Sequence, residues 1–426
     1  MKKSIKKLPK SKIEIEVEIP TEDWEDFLNE AVKDISLNLK VAGFRPGSVP
    51  RNIVEKEIGM EKILARASEL AVRKTYVKMI LDDKIEAVGS PNISVLKVAP
   101  GNPFVFKAEV AVLPEVKLPD YTKIIKGIKP AEEAKVEGKE IDEAVSWLQK
   151  SRAKFTTVKR EARKDDRVEI DFETELEGKK VENGKSENHP LIIGQSKFVR
   201  GFDEQLIGMK EEEEKEFTLV FPEDYHQKNL ADQPVDFKVK MKLVQEQELP
   251  EINDYFAQGL GDFKDLEALR ESIKHGVLYE KKEKVKQDWR QKAVNETAEK
   301  SEIDLPDILI DKELEGMVGE LKNSAGQIGL EWKKYLEGLK KTEDDLKKDF
   351  AKQAERRVRS ALVLREIAKK ENIEVTDKET EGEINRVLQK YPDIEGAKGK
   401  VDIDALKEYT YGVLRNEKVF KRLEEC

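Results

Sequence analysis

From Lys12 to Ile19 the chain reads Lys-Ile-Glu-Ile-Glu-Val-Glu-Ile, a strict alternation of polar and apolar positions. A period of two puts the apolar side chains on one face, which predicts a half-buried strand, and Pro20 ends it. The period then lengthens. From Thr21, read as an N-cap, Trp24, Leu28, Ala31, Ile35 and Leu39 recur at spacings of three and four, which predicts a helix with one buried stripe. After a turn-rich interruption, Ile53 to Ile58 and about Glu61 to Asp82 read as further helices. Two strands follow, Ile93 to Val98 and Phe104 to Val112, split by Pro100-Gly101-Asn102-Pro103. The order β-α-α-α-β-β predicts an α+β domain over residues 1–113.

Residues 114–154 read as a connector with structure of its own. Pro114, Pro119 and Pro130 punctuate an extended stretch, and a helix is expected from Lys139, burying Ile141, Ala144, Val145 and Leu148. Over 155–245 the character turns to strands. Val168, Ile170 and Phe172 alternate, as do Phe217, Leu219 and Phe221, then Phe237, Val239, Met241 and Leu243. Glycines at 178, 184, 194, 201 and 208 mark turns. This predicts a compact antiparallel sheet with one short helix around Phe202 to Ile207. Residues 246–426 read as all-helical. Leu305-Pro306 places a proline at a helix start, and Thr342 to Asp345 and Thr376 to Glu379 read as N-termini, the latter a capping box. Leu346, Phe350, Ala354, Val358 and Leu362 are spaced to bury one face. The fold class is therefore multidomain α+β.

Composition narrows the functional classes. The 426 residues are 39% charged and 38% hydrophobic, a balance suited to much solvated helical surface. No stretch approaches the roughly 20 apolar residues needed to cross a bilayer. Lys10, Lys12, Glu14 and Glu16 stand where a signal core would lie, so a cytoplasmic protein without membrane attachment is expected. Residues 1–112 hold 19 Lys and Arg against 17 Asp and Glu, and the remainder holds 60 against 71. A DNA binder would show a strongly basic domain, and none is present. One cysteine, Cys426, and three dispersed histidines, His189, His226 and His275, offer neither a disulfide nor metal-ligand spacing. Neither a metal nor a cofactor is expected. No Gly-x-Ser-x-Gly elbow, P-loop or Cys–His pair is present, which argues against hydrolase or ATP-driven chemistry.

Two stretches carry more specific information. The first is Gly43-Phe44-Arg45-Pro46-Gly47-Ser48-Val49-Pro50, between two expected helices. Two glycines and the prolines cannot continue a helix, so they define a stiff tip that presents Phe44 and Arg45, residue types enriched in interface hot spots. The segment resembles the ribosome-docking signature of the trigger factors, bacterial chaperones with a Gly-Phe-Arg-x-Gly-x-x-Pro pattern. The resemblance implies docking through Gly43, Phe44, Arg45, Pro46 and Gly47. Where that family often carries lysines, Pro46 and Ser48 stand here, which leaves Arg45 and Arg51 as the nearby positive charge.

The second stretch is the strand-rich region. Val168 to Phe172, Leu191 to Gly194, Phe198 to Asp203 and Phe221 to His226 follow the order of an FKBP-type prolyl isomerase. That resemblance implies an apolar pocket formed by Phe172, Phe198, Val199, Phe202, Tyr225 and Phe237. Val181-Glu182 stands where single-domain isomerases carry an aromatic–acid pair, and His189 stands in place of a pocket aromatic.

Across nearly the full length, the order of a tip-bearing domain, a connector, an inserted isomerase and helices is similar to that of trigger factors. The resemblance implies an ATP-independent chaperone with an elongated helical C-terminal domain. Its partners would be the large ribosomal subunit, protein and RNA beside the exit tunnel, and nascent or unfolded polypeptides, with a homodimer possible when free. The rivals are a stand-alone FKBP-type isomerase with accessory helices, which would not need the tip, and a helical scaffold with a passive isomerase-like module.

Overall fold

The computed structural model describes residues 1–39, 41, 44, 47, 49–128, 134–196, 198–223, 225, 227–228, 230–390 and 403–426. The chain divides into two compact units, one formed by Met1–Ala131 with Gln287–Cys426, the other by Glu132–Lys286.

The first unit opens with a hairpin, β1 (Lys2–Leu8) against β2 (Lys12–Ile19), whose turn holds Lys10 and Ser11 at positive φ. β1 left no apolar alternation to read. It is an exposed edge strand, and its lysines keep that edge from pairing with other chains. Pro20 rather than Thr21 occupies the N-cap of α1 (Thr21–Asn38), so Thr21 is already helical. α2 (Arg51–Ile58) and α3 (Met60–Asp82) meet at Gly59, whose φ of 87° allows the abrupt turn between them. β3 (Ala87–Lys97) and β4 (Phe104–Val112) complete a sheet of order β1-β2-β4-β3. The alternating residues Ile15, Val17 and Ile19 of β2 and Phe104 and Phe106 of β4 form a core with the helices, where Trp24 stacks on Phe104 at 4.5 Å. A short β5 (Val116–Lys117) and α4 (Tyr121–Gly127) follow.

The second unit begins with α5 (Gly138–Ser151), closed by a capping box between Glu137 and Glu140. Then come β6 (Lys154–Thr157), β7 (Arg167–Leu176), β8 (Lys179–Ile192), the short helix α6 (Phe202–Leu206), β9 (Glu214–Val220) and β10 (Pro234–Glu248). The sheet runs β6-β10-β7-β8, with β9 also paired to β10. Its buried face, including Val168, Ile170, Val239 and Met241, packs with Phe202 and Leu206 of α6. α7 (Asp254–Leu260) and the start of α8 (Leu266–Lys300) pack on α5, with Val145 buried among Phe256, Ala257 and Leu269. Of the connector-helix residues expected to be buried, only Val145 is fully so; Ile141, Ala144 and Leu148 are half-buried.

The chain then returns to the first unit. β11 (Glu302–Ile303) pairs with β5 and, beyond the end of β10, is the one strand in the otherwise helical C-terminal region among the described residues. α9 (Asp307–Gln327) starts with Pro306 at its N-cap, one position outside the helix. α10 (Trp332–Leu339), α11 (Glu343–Lys370), α12 (Asp377–Lys390) and α13 (Ile403–Glu424) follow. Thr342 and Asp345 cap α11 reciprocally, and Thr376 and Glu379 do the same for α12. Val358, Leu362 and Ile367 of α11 pack with Ala293 and Ala298 of α8 and with Val419 of α13. Arg290 is buried there, paired with Glu417 at 2.7 Å and Glu424 at 2.6 Å and lying over the Phe420 ring, which satisfies its charge. The hairpin turn is tied to this helical part: Ser11 N–H donates to the Asp304 carboxylate at 2.8 Å, and its hydroxyl donates to the Asp304 carbonyl at 2.6 Å. Among the described residues no helix is long and apolar enough to cross a membrane.

Candidate functional site

A cavity of about 650 Å³ opens in the second unit between the sheet and the segment leading into α6. β7 contributes Phe172, β8 contributes His189, and β10 contributes Phe237. Phe198 and Val199 come from the loop before α6, and Phe221 and Tyr225 from the loop after β9. The rings form one connected set. Phe172 meets Phe198 edge-on at 5.2 Å, Tyr225 meets Phe221 edge-on at 4.6 Å, and Phe237 lies parallel to Phe221 at 6.0 Å; Phe202, 4.2 Å from Phe198 and 5.3 Å from Phe237, joins the two groups. Such edge and offset contacts hold aromatic side chains in fixed orientation.

The loop is held by one carboxylate. Asp203, in the first turn of α6, accepts from Gly194 N–H at 2.6 Å, from Ser196 N–H at 3.2 Å and from the Ser196 hydroxyl. Phe198 N–H in turn donates to Ser196 Oγ at 3.3 Å. Gly194 and Gly201, with φ of 89° and 93°, supply left-handed turns at either end. The sequence Gly194-Gln-Ser-Lys-Phe-Val-Arg-Gly201-Phe-Asp203 thus encodes both the bends and the clamp that aim Phe198 and Val199 at the cavity.

Five of the six residues expected in a pocket line it: Phe172, Phe198, Val199, Tyr225 and Phe237. Phe202 does not. It is 0% exposed and stacks at 4.2 Å beneath Phe198, where it supports the cavity from below. The residue pattern did not single out Leu191, Phe221 and Leu230 as lining residues. Phe221 ends an alternating run and could have been assigned from that. Leu230 lies in an irregular loop, where periodicity carries no information. Val181 lines the cavity, and His189 packs edge-on against both Phe172 and Phe198.

At the tip of the first unit, Phe44 is 39% exposed and its N–H donates to Val41 O at 3.2 Å. Gly47 has φ of 84°, and its N–H donates to Ser36 O at 2.8 Å, tying the loop to the end of α1. A Cβ at Gly47 would lie 2.9 Å from Leu37 Cδ2. Gly43, Arg45 and Pro46 lie outside the described residues. Arg51, which the sequence offered as a nearby positive charge, is engaged by Glu25, by Glu55 at 2.8 Å and by Asn29 at 3.1 Å. The Glu25 and then the Glu55 contacts push its pKa up. Its charge is therefore matched within the unit. Among the described residues no group of three His, Cys, Asp or Glu side chains could hold a metal ion.

Comparison with known proteins gives three family matches. Residues 1–148 match the bacterial trigger factor protein, 158–242 the FKBP-type peptidyl-prolyl cis-trans isomerase, and 265–425 the trigger factor C-terminus. The chain is 34% identical to the trigger factor of Caldicellulosiruptor saccharolyticus over 98% of its length and 95% of that protein's. It is 31% identical to the trigger factor of Desulforamulus reducens over the whole of both chains. A solved trigger factor chaperone structure covers 99% of each chain with a TM-score of 0.51 at 21% identity, a likeness of fold. The chain belongs to the trigger factor family of ribosome-associated chaperones and carries that family's FKBP-type peptidyl-prolyl isomerase domain.

Proposed function

We propose that the aromatic cavity is where this chaperone isomerises X-Pro bonds, with Phe172, Phe198, Val199, Tyr225 and Phe237 in contact with substrate and Phe202 supporting Phe198. The observation that carries this reading is the connected set of rings around a cavity of about 650 Å³, large enough for a proline and its neighbours. Rotation about a peptide bond crosses a barrier of about 18–20 kcal/mol because the twisted amide loses its resonance. Twisting also removes charge separation, so a wall of rings that excludes water binds the twisted amide better than the planar one. Such differential binding is catalysis, and it needs neither a nucleophile nor a cofactor.

The remaining assignments follow the domain reading of 1–113, 114–154, 155–245 and 246–426. The tip from Gly43 to Gly47 docks on the large ribosomal subunit, on protein and RNA beside the exit tunnel, with Phe44 and Arg45 as its anchors. The helical C-terminal region holds nascent and unfolded chains without ATP, and the protein acts in the cytoplasm.

Two measurements separate these parts. The full chain is expected to accelerate isomerisation in a short X-Pro peptide, and it is expected to pellet with large ribosomal subunits. Replacing Phe44 and Arg45 together by Ala should weaken ribosome binding by more than tenfold for each anchor, since central aromatic and Arg anchors typically contribute about 2 kcal/mol or more. Peptide turnover should survive that change. Undiminished pelleting of the double variant would remove the docking assignment and leave the cavity's role intact.

A further inference from the structure

One wall of the cavity differs in chemistry from the others. His189 is half-buried, with its ring edge-on to Phe172 at 5.7 Å and to Phe198 at 5.3 Å, and its side chain makes ring contacts only, with no hydrogen bond among the described residues. Three other polar side chains at the cavity are already engaged, and Gln227 also lines it, from the loop after β9. The Thr174 hydroxyl donates to Gly184 O at 3.0 Å, the Ser196 hydroxyl to Asp203, and the Gln195 amide to Asp165 at 3.0 Å. No carboxylate lines the cavity among the described residues. The His189 nitrogens are thus open to a ligand, in a wall where a phenyl ring would offer neither a donor nor an acceptor.

We propose that His189 is a specificity-determining residue that selects X-Pro segments in which X carries a side-chain carboxylate. The proposal rests on the cavity being the isomerase site. Consecutive Cα atoms are about 3.8 Å apart. We place the proline ring against Phe198 and the residue before it beside His189, whose ring centre is 5.3 Å from that of Phe198. There an imidazole N–H can donate to a carboxylate, the stronger kind of hydrogen bond, and among the described residues the lining presents no negative charge to oppose it. An aliphatic X gains nothing from the imidazole, and it loses the apolar contact a phenyl ring would give.

The test uses the full-length protein and tetrapeptides that differ only at the residue before proline: Glu, Gln or Leu. The expected result is a Glu-over-Leu ratio of kcat/KM about tenfold higher in the wild type than in His189→Phe, the range set by one hydrogen bond to a charged acceptor. His189→Gln, which keeps a neutral donor, should fall between the two. A ratio is insensitive to how much of the protein is folded, so a merely structural role for His189 would not move it. Ratios within twofold of each other in wild type and His189→Phe, with the Leu peptide turned over by both, would overturn the proposal. Loss of all turnover in both variants, with the wild type active, would show a structural role and overturn it as well. Failure of the wild type on every peptide would remove the isomerase reading of the cavity, and the selectivity with it.

Discussion

Phe198 and Phe202 stack on each other at 4.2 Å, yet only Phe198 faces the cavity, so truncating them should separate catalysis from stability. Phe202 is 0% exposed and also contacts Phe172, Phe217 and Phe237, with centroids at 6.5, 5.7 and 5.3 Å. Phe202→Ala would leave a closed void among these rings, a change that typically costs about 3–5 kcal/mol. Phe198 is half-buried, and its removal enlarges a space already open to solvent. Phe198→Ala should cost only about 1–2 kcal/mol, from partial loss of burial and of ring contacts. The order reverses for turnover. Phe198→Ala removes a surface that meets the substrate and should lower kcat/KM at least tenfold, about 1.4 kcal/mol of transition-state binding. Stability can be read in the full chain from hydrogen exchange of the amides of Val168, Ile170, Val239 and Met241 in β7 and β10. Exchange there should accelerate about a hundredfold or more in Phe202→Ala, and by no more than about thirtyfold in Phe198→Ala. The assignment of floor and wall would be refuted if Phe202→Ala left exchange within tenfold of wild type. It would equally be refuted if Phe198→Ala left kcat/KM within twofold.

Three further expectations follow from the first unit. Gly47→Ala places a Cβ 2.9 Å from Leu37 Cδ2 at a φ of 84°, so ribosome co-sedimentation should weaken several-fold while the unfolding transition moves little. Glu379 is held down to about 2, first by the hydrogen bond from Lys418 and then by those from Thr376, against an ordinary value of 4.5. A depressed carboxylate stabilises the fold above its unfolded pKa, so this contribution should be lost as pH falls from about 4.5 towards 2, and Lys418→Met should flatten the acid limb of helix content in that window. A chain in which a short Gly-Ser linker replaces residues 132–286 should still suppress aggregation of a denatured protein without ATP, and residues 1–113 alone should do so poorly; light scattering decides it.

Much of the architecture was legible because long amphipathic stretches report their own period. β2, α1 and α11 follow directly from the alternation at Ile13 to Ile19, the stripe from Trp24 to Leu39 and the repeat from Leu346 to Leu362, and α3 and β4 from the runs at Glu61 to Asp82 and Phe104 to Val112. β1 and β8 were hidden for physical reasons. β1 is exposed on both faces, and β8 contains Gly184 and Pro190 and shifts register against β7. At the cavity, aromatic residues could be listed from sequence, but which of them line it depends on depth. Phe198 and Phe202 are four residues apart and chemically alike, and only their three-dimensional placement makes one a wall and the other its support. Arg51 gives the opposite lesson: its position near the tip suggested an available charge, and Glu25 and Glu55 engage that charge instead.

The helical region shows how a chain that is 39% charged can still offer apolar contacts to clients on the proposed reading. In α10, Trp332, Tyr335, Leu336 and Leu339 recur at spacings of three, one and three, which sets them on one helical face, yet no residue of the helix is buried. Ile328 just before it is 75% exposed, and Tyr409 of α13 is 71% exposed. Between these apolar residues stand Glu331, Lys333, Lys334, Glu337 and Lys340. Each apolar patch is thus small and bordered by charge, which limits self-association. Several such patches binding weakly in parallel give useful affinity for an extended chain through effective concentration, while no single patch demands a particular sequence. The same logic explains why the deeper, geometrically defined cavity lies on the sheet of the other unit: recognising one bond type needs fixed rings, whereas holding many unfolded chains needs none.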